Sequence, residues 1–288
     1  MEGLIIKSVA GFYYVKTSDK IYQCKARGIF RKDGIVPLVG DKVIIKELNE
    51  SEAVIDKIYP RKNEFIRPAI VNVDCIVMVI AVKKPEPNLT IIDKFLVMAE
   101  YNHSDIVVCF NKADLAEAKD LQRLLEIYGD IYTTVCVSGV TGQGVPQLKK
   151  LIKGRTCALA GPSGVGKSTL LNRMEGRALA EIGEISDKSQ RGKHTTRHVE
   201  LFELENGGML FDTPGFTSFN VLKAEEGELA YLYPEMIPYI GNCRYDNCRH
   251  LSEPDCDIRK AVAEGKIHKS RYESYIKQMK EIQEMRKY

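Results

Sequence analysis

Residues 161–169 read GPSGVGKST, and residues 111–114 read NKAD. The first stretch has the glycine spacing and the closing Lys-Ser of a phosphate cradle. Glycines let successive backbone N–H groups turn toward phosphate oxygens, and a helix starting there adds the positive end of its dipole. The apolar run TCALA (156–160) precedes the motif and the helical pattern STLLNRM (168–174) follows it, which is the strand–loop–helix setting the mechanism requires. Gly161, Ser163, Gly164, Val165, Gly166 and Thr169 are therefore expected in the cradle. Lys167 is expected to reach the β- and γ-phosphates, and the Ser168 hydroxyl to hold Mg2+.

NKAD follows the apolar run DIVVCF (105–110). A carboxylate at Asp114 can accept the N1–H and 2-amino hydrogens of guanine, and adenine would leave it unpaired. Asn111 is expected to bond the base and the loop, and the Lys112 stem to cover the ring. CVSG (136–139), after the next strand pattern, offers Ser138 and backbone N–H groups up to Gly139 for the guanine O6. DTPG (212–215) ends the strand pattern GMLF. Asp212 is placed to orient Mg2+, and the Gly215 N–H to meet the γ-phosphate and sense its loss. Between cradle and DTPG lies SQRGKHTTRHVE (189–200), hydroxyl-rich, basic and without apolar period. It reads as a switch loop in which Thr196, with Thr195 as second choice, completes the Mg2+ shell.

In small GTPases a glutamine follows D-x-x-G and orients the attacking water; here Phe216 stands there. An aromatic ring cannot do that work. His194 is the best polar candidate for it, with Lys193, Arg191 and Arg197 available to steady charge. Intrinsic hydrolysis is expected to be slow until a partner orders the loop. The motif order is reader, SG, cradle, switch threonine, DTPG. Moving the last two motifs of the usual order to the front reproduces it, so the chain reads as a circular permutation. The DTPG switch then leads directly into the C-terminal segment, which its movement is expected to pull.

Residues 1–67 read as four or five short strands separated by turn residues, a small barrel of OB-like or SH3-like type. From 68 to 220 strand and helix patterns alternate, as in a largely parallel α/β sheet. From 221 to 288 the pattern turns helical, as in KAEEGELAYLYPEM (223–236) and the C-terminal SRYESYIKQMKEIQEMRK, where Tyr272, Ile276 and Met279 suit an inward face. Five cysteines lie scattered, mostly in apolar runs. The other three, Cys243, Cys248 and Cys256, crowd around His250 as C-x4-C-x-H-x5-C, a ligand set for structural zinc rather than an iron–sulfur cluster.

The net charge of +3 divides unevenly: +4 over 1–67, −5 over 68–256 and +4 over 257–288. Basic flanks around an acidic centre suit a polyanionic partner. Within the barrel, KARGIFRK (25–32) offers Arg27, Arg31 and Lys32 to phosphates and Phe30 for stacking on bases. No secretory pattern opens the chain, and the apolar run CIVMVIAV (75–82) is too short to span a bilayer, so a cytoplasmic monomer without a membrane partner is expected. Three functions compete: an assembly GTPase, a nucleic-acid-binding module governed by guanine nucleotide, and a zinc protein with a vestigial nucleotide site. Intact Lys167, Ser168, Thr196 and Asp212 weigh against the last.

The chain resembles the circularly permuted, small-ribosomal-subunit-dependent GTPases of bacteria, RsgA type. The resemblance runs from the barrel ending NEFIRP through NKAD, GPSGVGKSTL, RGKHTTRHVEL and DTPGF to the cysteine cluster. It implies an N-terminal OB-fold, a permuted P-loop GTPase domain and a C-terminal zinc-binding helical domain. It also implies late maturation of the small subunit, contact with its rRNA, and GTP hydrolysis stimulated by that particle, with the HTT histidine positioning water.

Overall fold

A computed structural model of the protein describes residues 1–32, 34–66, 68–176, 199–212 and 224–285. Five strands form the N-terminal barrel: β1 (Glu2–Val9), β2 (Phe12–Lys16), β3 (Ile21–Ala26), β4 (Lys42–Glu47) and β5 (Glu52–Ile58). Their order is β1-β2-β3-β5-β4, closed by a β1–β4 pairing, with β3 and β5 parallel. That is the OB-type barrel, and the SH3-like alternative falls away. The strands alternate, so Ile5, Val15, Tyr22, Cys24, Val43, Ile45 and Ile55 point inward.

A short hairpin, β6 (Glu64–Ile66) with β7 (Ala69–Val71), leads out of the barrel. Asn63 pins this exit: its Nδ2 donates to Val73 O at 2.8 Å and to Ser104 Oγ at 3.1 Å, and its Oδ1 accepts the Val73 N–H at 2.9 Å. The nucleotide-type sheet follows, with β8 (Cys75–Ala81), β9 (Asp105–Asn111), β10 (Thr133–Cys136), β11 (Thr156–Ala160), β12 (Glu200–Glu203) and β13 (Met209–Asp212). Their order is β10-β9-β8-β11-β13-β12, all parallel except β12. β8 sits between β9 and β11 with both faces covered, which explains its unbroken apolar run, every residue of which is buried.

Helices close the crossovers where local chemistry starts them. Asn88 caps Leu89–Tyr101 by accepting the Ile91 N–H, and Glu117 with Asp120 form a capping box on Ala118–Tyr128. Pro opens Val145–Leu151, and only residues 152–155 separate that helix from β11. This short joint bridges the old termini of the permuted domain.

The barrel and the nucleotide sheet are one continuous sheet, because β1 pairs antiparallel with β12 at Lys7 and Glu200. Ion pairs Lys7–Glu200, at 2.8 Å, and Lys16–Glu203 flank the seam. One apolar core runs beneath it, from Ile5 and Val15 through Phe65 and Ile70 to Ile76, Phe110 and Phe211.

The C-terminal part corrects one expectation. The described part of KAEEGELAYLYPEM, 224–236, does not form a helix of that length; Leu229–Leu232 and Pro234–Tyr239 are 3-10 turns. Pro234 and Pro238 remove the N–H donors a continuous α-helix would need. Helices Asp257–Ala263 and Lys269–Met285 follow as expected. On the latter, Met279 is buried while Tyr272 and Ile276 are only partly so; Arg271, Tyr275, Gln278 and Ile282 complete the inward face. No helix of the described residues is long and apolar enough to cross a membrane.

Candidate functional site

The motifs that lie far apart in sequence meet at the carboxyl ends of the parallel strands. β9 ends in Asn111, β11 runs into the cradle, and β13 ends in Asp212. In a sheet of this kind that edge is where ligands bind. The permuted order is thereby explained, since strand position rather than chain order assembles the site.

The cradle turns on glycines with positive φ. Gly161 (φ 144°) packs so closely that a Cβ would collide with Val79 O, and a Cβ on Gly166 (φ 92°) would lie 2.5 Å from Asn111 Nδ2. Both positions require glycine for approach as well as conformation. The helix Lys167–Met174 starts directly after Gly166. Lys167 Nζ donates to Gly161 O at 2.7 Å and Pro162 O at 2.8 Å, lying across the loop where phosphate oxygens would replace those carbonyls. Burial pulls its ammonium down to about 8. Ser163, Gly164 and Ser168 are exposed and Thr169 half-buried, open to a ligand. The Val165 side chain is buried in the core, so only its backbone is available to one.

The reader is braced to the cradle. Asn111 is buried; its Nδ2 donates to Val165 O at 2.8 Å and its Oδ1 accepts the Gly139 N–H at 3.1 Å. Lys112, with φ 61°, sends Nζ to Gly164 O at 2.8 Å and to Lys84 O. These bonds hold the base-side loops and the phosphate loop as one body. Asp114 sits in the turn Ala113–Leu115, exposed, with its carboxylate bonded to no described residue. Among the described residues this acceptor is left without a partner. Ser138 is wholly buried and its Oγ accepts the Thr141 N–H at 3.0 Å, a bond that folds the loop. Asp212 is half-buried, across from Glu200 in the β12–β13 pair. His194, Thr195, Thr196, Gly215 and Phe216, with Lys193, Arg191 and Arg197, lie outside the described residues.

The cysteine cluster gathers as its spacing requires. Cys243 Sγ lies 3.5 Å from His250 Nδ1 and 3.9 Å from Cys256 Sγ, and Cys256 Sγ lies 3.4 Å from the same nitrogen. With Cys248 Sγ, the ligand atoms all fall within 4.8 Å of one another. A tetrahedral zinc with bonds of about 2.0–2.3 Å needs edges of roughly 3.5–3.8 Å, so the donor set fits that ion. Burial keeps His250 toward its neutral, ligating form and pushes the Cys256 thiol up to about 12. A thiolate there therefore needs a cation beside it. The loop is held from outside: Tyr272 OH donates to His250 O and Tyr275 OH to Arg249 O, each at 2.7 Å. Burial works against the Glu253 carboxylate, but N–H groups of Arg249, Leu251 and Ser252 donate to it and hold it below the usual range.

One expectation fails in the barrel. Phe30 is 8% exposed and belongs to the core, so it cannot stack on a base. The short helix Gly28–Lys32 turns it inward, and Ile29 stands outside. Arg27 is exposed and pairs with Asp56. Two contributors had no sequence signal. Arg173 ends the cradle helix and bonds the 138–141 loop. Arg271 is wholly buried between Asp93 (2.6 Å) and Glu235 (2.7 Å), fastening the C-terminal region to the Leu89–Tyr101 helix.

Comparison with known proteins agrees with this architecture. The family model of the RsgA GTPase matches residues 58–222, and that of the RsgA N-terminal domain matches residues 2–55. A small ribosomal subunit biogenesis GTPase RsgA of Alkaliphilus metalliredigens is 45% identical, covering 100% of this chain and 99% of its own. The crystal structure of YjeQ from Thermotoga maritima superposes with a TM-score of 0.84 at 35% identity, covering 98% of each chain. That of YloQ, described as a circularly permuted GTPase, gives 0.81 at 36% identity, covering 99% of this chain and 95% of its own.

Proposed function

The chain belongs to the RsgA GTPase family and is a GTP hydrolase, and on that premise we propose that its turnover is tied to the small ribosomal subunit. It binds a late, immature form of that particle and its rRNA in the GTP state, hydrolyses GTP when the particle orders the 189–200 loop, and leaves as the GDP form. The observation that carries the nucleotide half of this reading is the unpartnered Asp114 carboxylate, on a loop locked to the phosphate cradle through Asn111 and Lys112. The ribosomal half is supported by the relatives, which are named for biogenesis of the small subunit.

In the proposed reaction a water attacks the γ-phosphorus, the bond to the β–γ bridging oxygen breaks, and GDP and phosphate leave. Lys167 exchanges its carbonyl partners for β- and γ-oxygens and neutralises their charge. His194 orients the water in place of the missing glutamine, and the Gly215 N–H meets the γ-phosphate. Magnesium, entering with the nucleotide, supplies positive charge to the phosphate oxygens, and Ser168, Thr196 and Asp212 are the residues that would hold it. Cys243, Cys248, His250 and Cys256 would hold one structural zinc, four protein ligands leaving no open position. We assign 1–67 to the rRNA-binding barrel, 68–220 to the GTPase domain and 221–288 to the zinc-bearing domain, in a cytoplasmic monomer.

Sedimentation with isolated small subunits tests the cycle. The chain is expected to pellet with them in a non-hydrolysable GTP analogue and to stay in the supernatant with GDP. Equal pelleting in both would contradict it.

A further inference from the structure

On the guanine-nucleotide reading, the amides assigned to the base O6 belong to the 138–141 loop, and Asp114 is assigned to the other edge of the base. What aims those amides is visible in the bonds around the loop. Ser138 N–H donates to Gln143 O at 2.9 Å and Gly142 N–H to Ser138 O at 2.8 Å, closing a tight turn. The turn rests on the cradle helix: a Cβ on Gly139 would lie 3.3 Å from both Leu170 N and Thr169 Cγ2. Arg173, in the last turn of that helix, lays its stem along Gly142 and donates from Nε to Gly139 O at 3.2 Å and from Nη2 to Val140 O.

The two carbonyls belong to consecutive peptide units. A trans peptide is planar with C=O and N–H opposed, so fixing Gly139 O also fixes the direction of the Val140 N–H. That N–H is bonded to no described residue, whereas the Gly139 N–H leans on Asn111 Oδ1 and the Thr141 N–H on Ser138 Oγ. We propose that Arg173 is a positioning residue for guanine specificity: its guanidinium fork orients the Gly139–Val140 peptide and presents its amide to the base O6. The same side chain ties that reader to the helix whose first turn cradles phosphate, so base and phosphate are gripped by one rigid piece. Lysine, with a single point charge, cannot span both carbonyls in this way.

The inference rests on the guanine-nucleotide reading of the site, and the test separates the two. Affinities of wild-type, Arg173→Ala and Arg173→Lys chains are measured for three diphosphates: GDP, IDP (which keeps the 6-oxygen) and 2-aminopurine riboside diphosphate (which lacks it). Arg173→Ala should weaken GDP and IDP together, on the order of tenfold, since hydrogen bonds from a charged group are of that strength. Binding of the 2-aminopurine nucleotide should change by less than about twofold, because it never used the loop amide. Arg173→Lys should fall between, and all three chains should share a melting temperature. An equal loss for all three nucleotides, or none for any, would overturn the proposal. Failure of the wild-type chain to bind GDP at all would instead overturn the reading beneath it.

Discussion

Lys167 shows how one side chain joins burial to ligand affinity. Desolvation lowers its pKa to about 8 in the free site, and phosphate oxygens beside it favour the charged form, so the complex keeps its proton to higher pH. GDP affinity should be flat below about pH 7 and fall by up to about tenfold per unit above about pH 8, with one proton taken up per nucleotide bound. Calorimetry in two buffers of different ionisation enthalpy counts that proton, and Lys167→Ala should abolish both uptake and slope. At the other end of the site, Asp114→Asn should cut the preference for GTP over ATP by at least roughly tenfold, the worth of a charge-assisted bond. Unchanged selectivity in competition binding would remove Asp114 from the base site. The sequence singles out these two residues because each sits in a motif whose adjacent backbone sets where its side chain starts. Phe30 was not, because a five-residue helix shows no period from which to tell its inner from its outer face.

The cysteine loop is an element expected to owe its order to an ion. Between the 3-10 turn ending at Tyr239 and the helix starting at Asp257, the described chain has no helix or strand, and its cross-links include the ligand cluster, the Glu253 bonds, the exposed Arg244–Asp255 pair and the Tyr272 and Tyr275 hydroxyls. Structural zinc contributes about 10–16 kcal/mol of apparent folding free energy in small domains. The purified chain should carry one zinc by elemental analysis. Chelation, or Cys248→Ser, should open residues 240–256 to protease while leaving GDP binding within about twofold. Protection that persists in the metal-free chain would show that the loop folds without the ion. The ligand spacing made this element readable in advance. The turns before it read as helix because KAEEGELAYLYPEM has helical composition, which outweighs the single breaker Pro234 within it and Pro238 just beyond.

At the scale of the molecule, two contacts between distant parts of the chain have no local sequence pattern. β1 pairs with β12 at Lys7 and Glu200, 193 positions apart in the chain, and Arg271 reaches Asp93 across 178. Edge pairing and buried ion pairs follow from the assembled surfaces, so periodicity and motif spacing could not announce them. The Arg271 anchor fastens the C-terminal region to the Leu89–Tyr101 helix. Arg271→Ala leaves Asp93 and Glu235 buried without their cation and should cost about 3–5 kcal/mol in equilibrium denaturation, whereas breaking the exposed Arg244–Asp255 pair should cost about 0–1 kcal/mol. Similar losses for the two would mean the buried anchor is not a structural bond. The central claim, a guanine-nucleotide hydrolase triggered by the small subunit, is tested most directly by GTP turnover of the purified chain alone, with free rRNA and with isolated small subunits. Comparable triggers raise GTPase rates by about 10³–10⁵-fold. The account predicts slow turnover alone and with rRNA, and acceleration by at least roughly a hundredfold with subunits. Equal rates in all three, or equal stimulation by free rRNA, would contradict it.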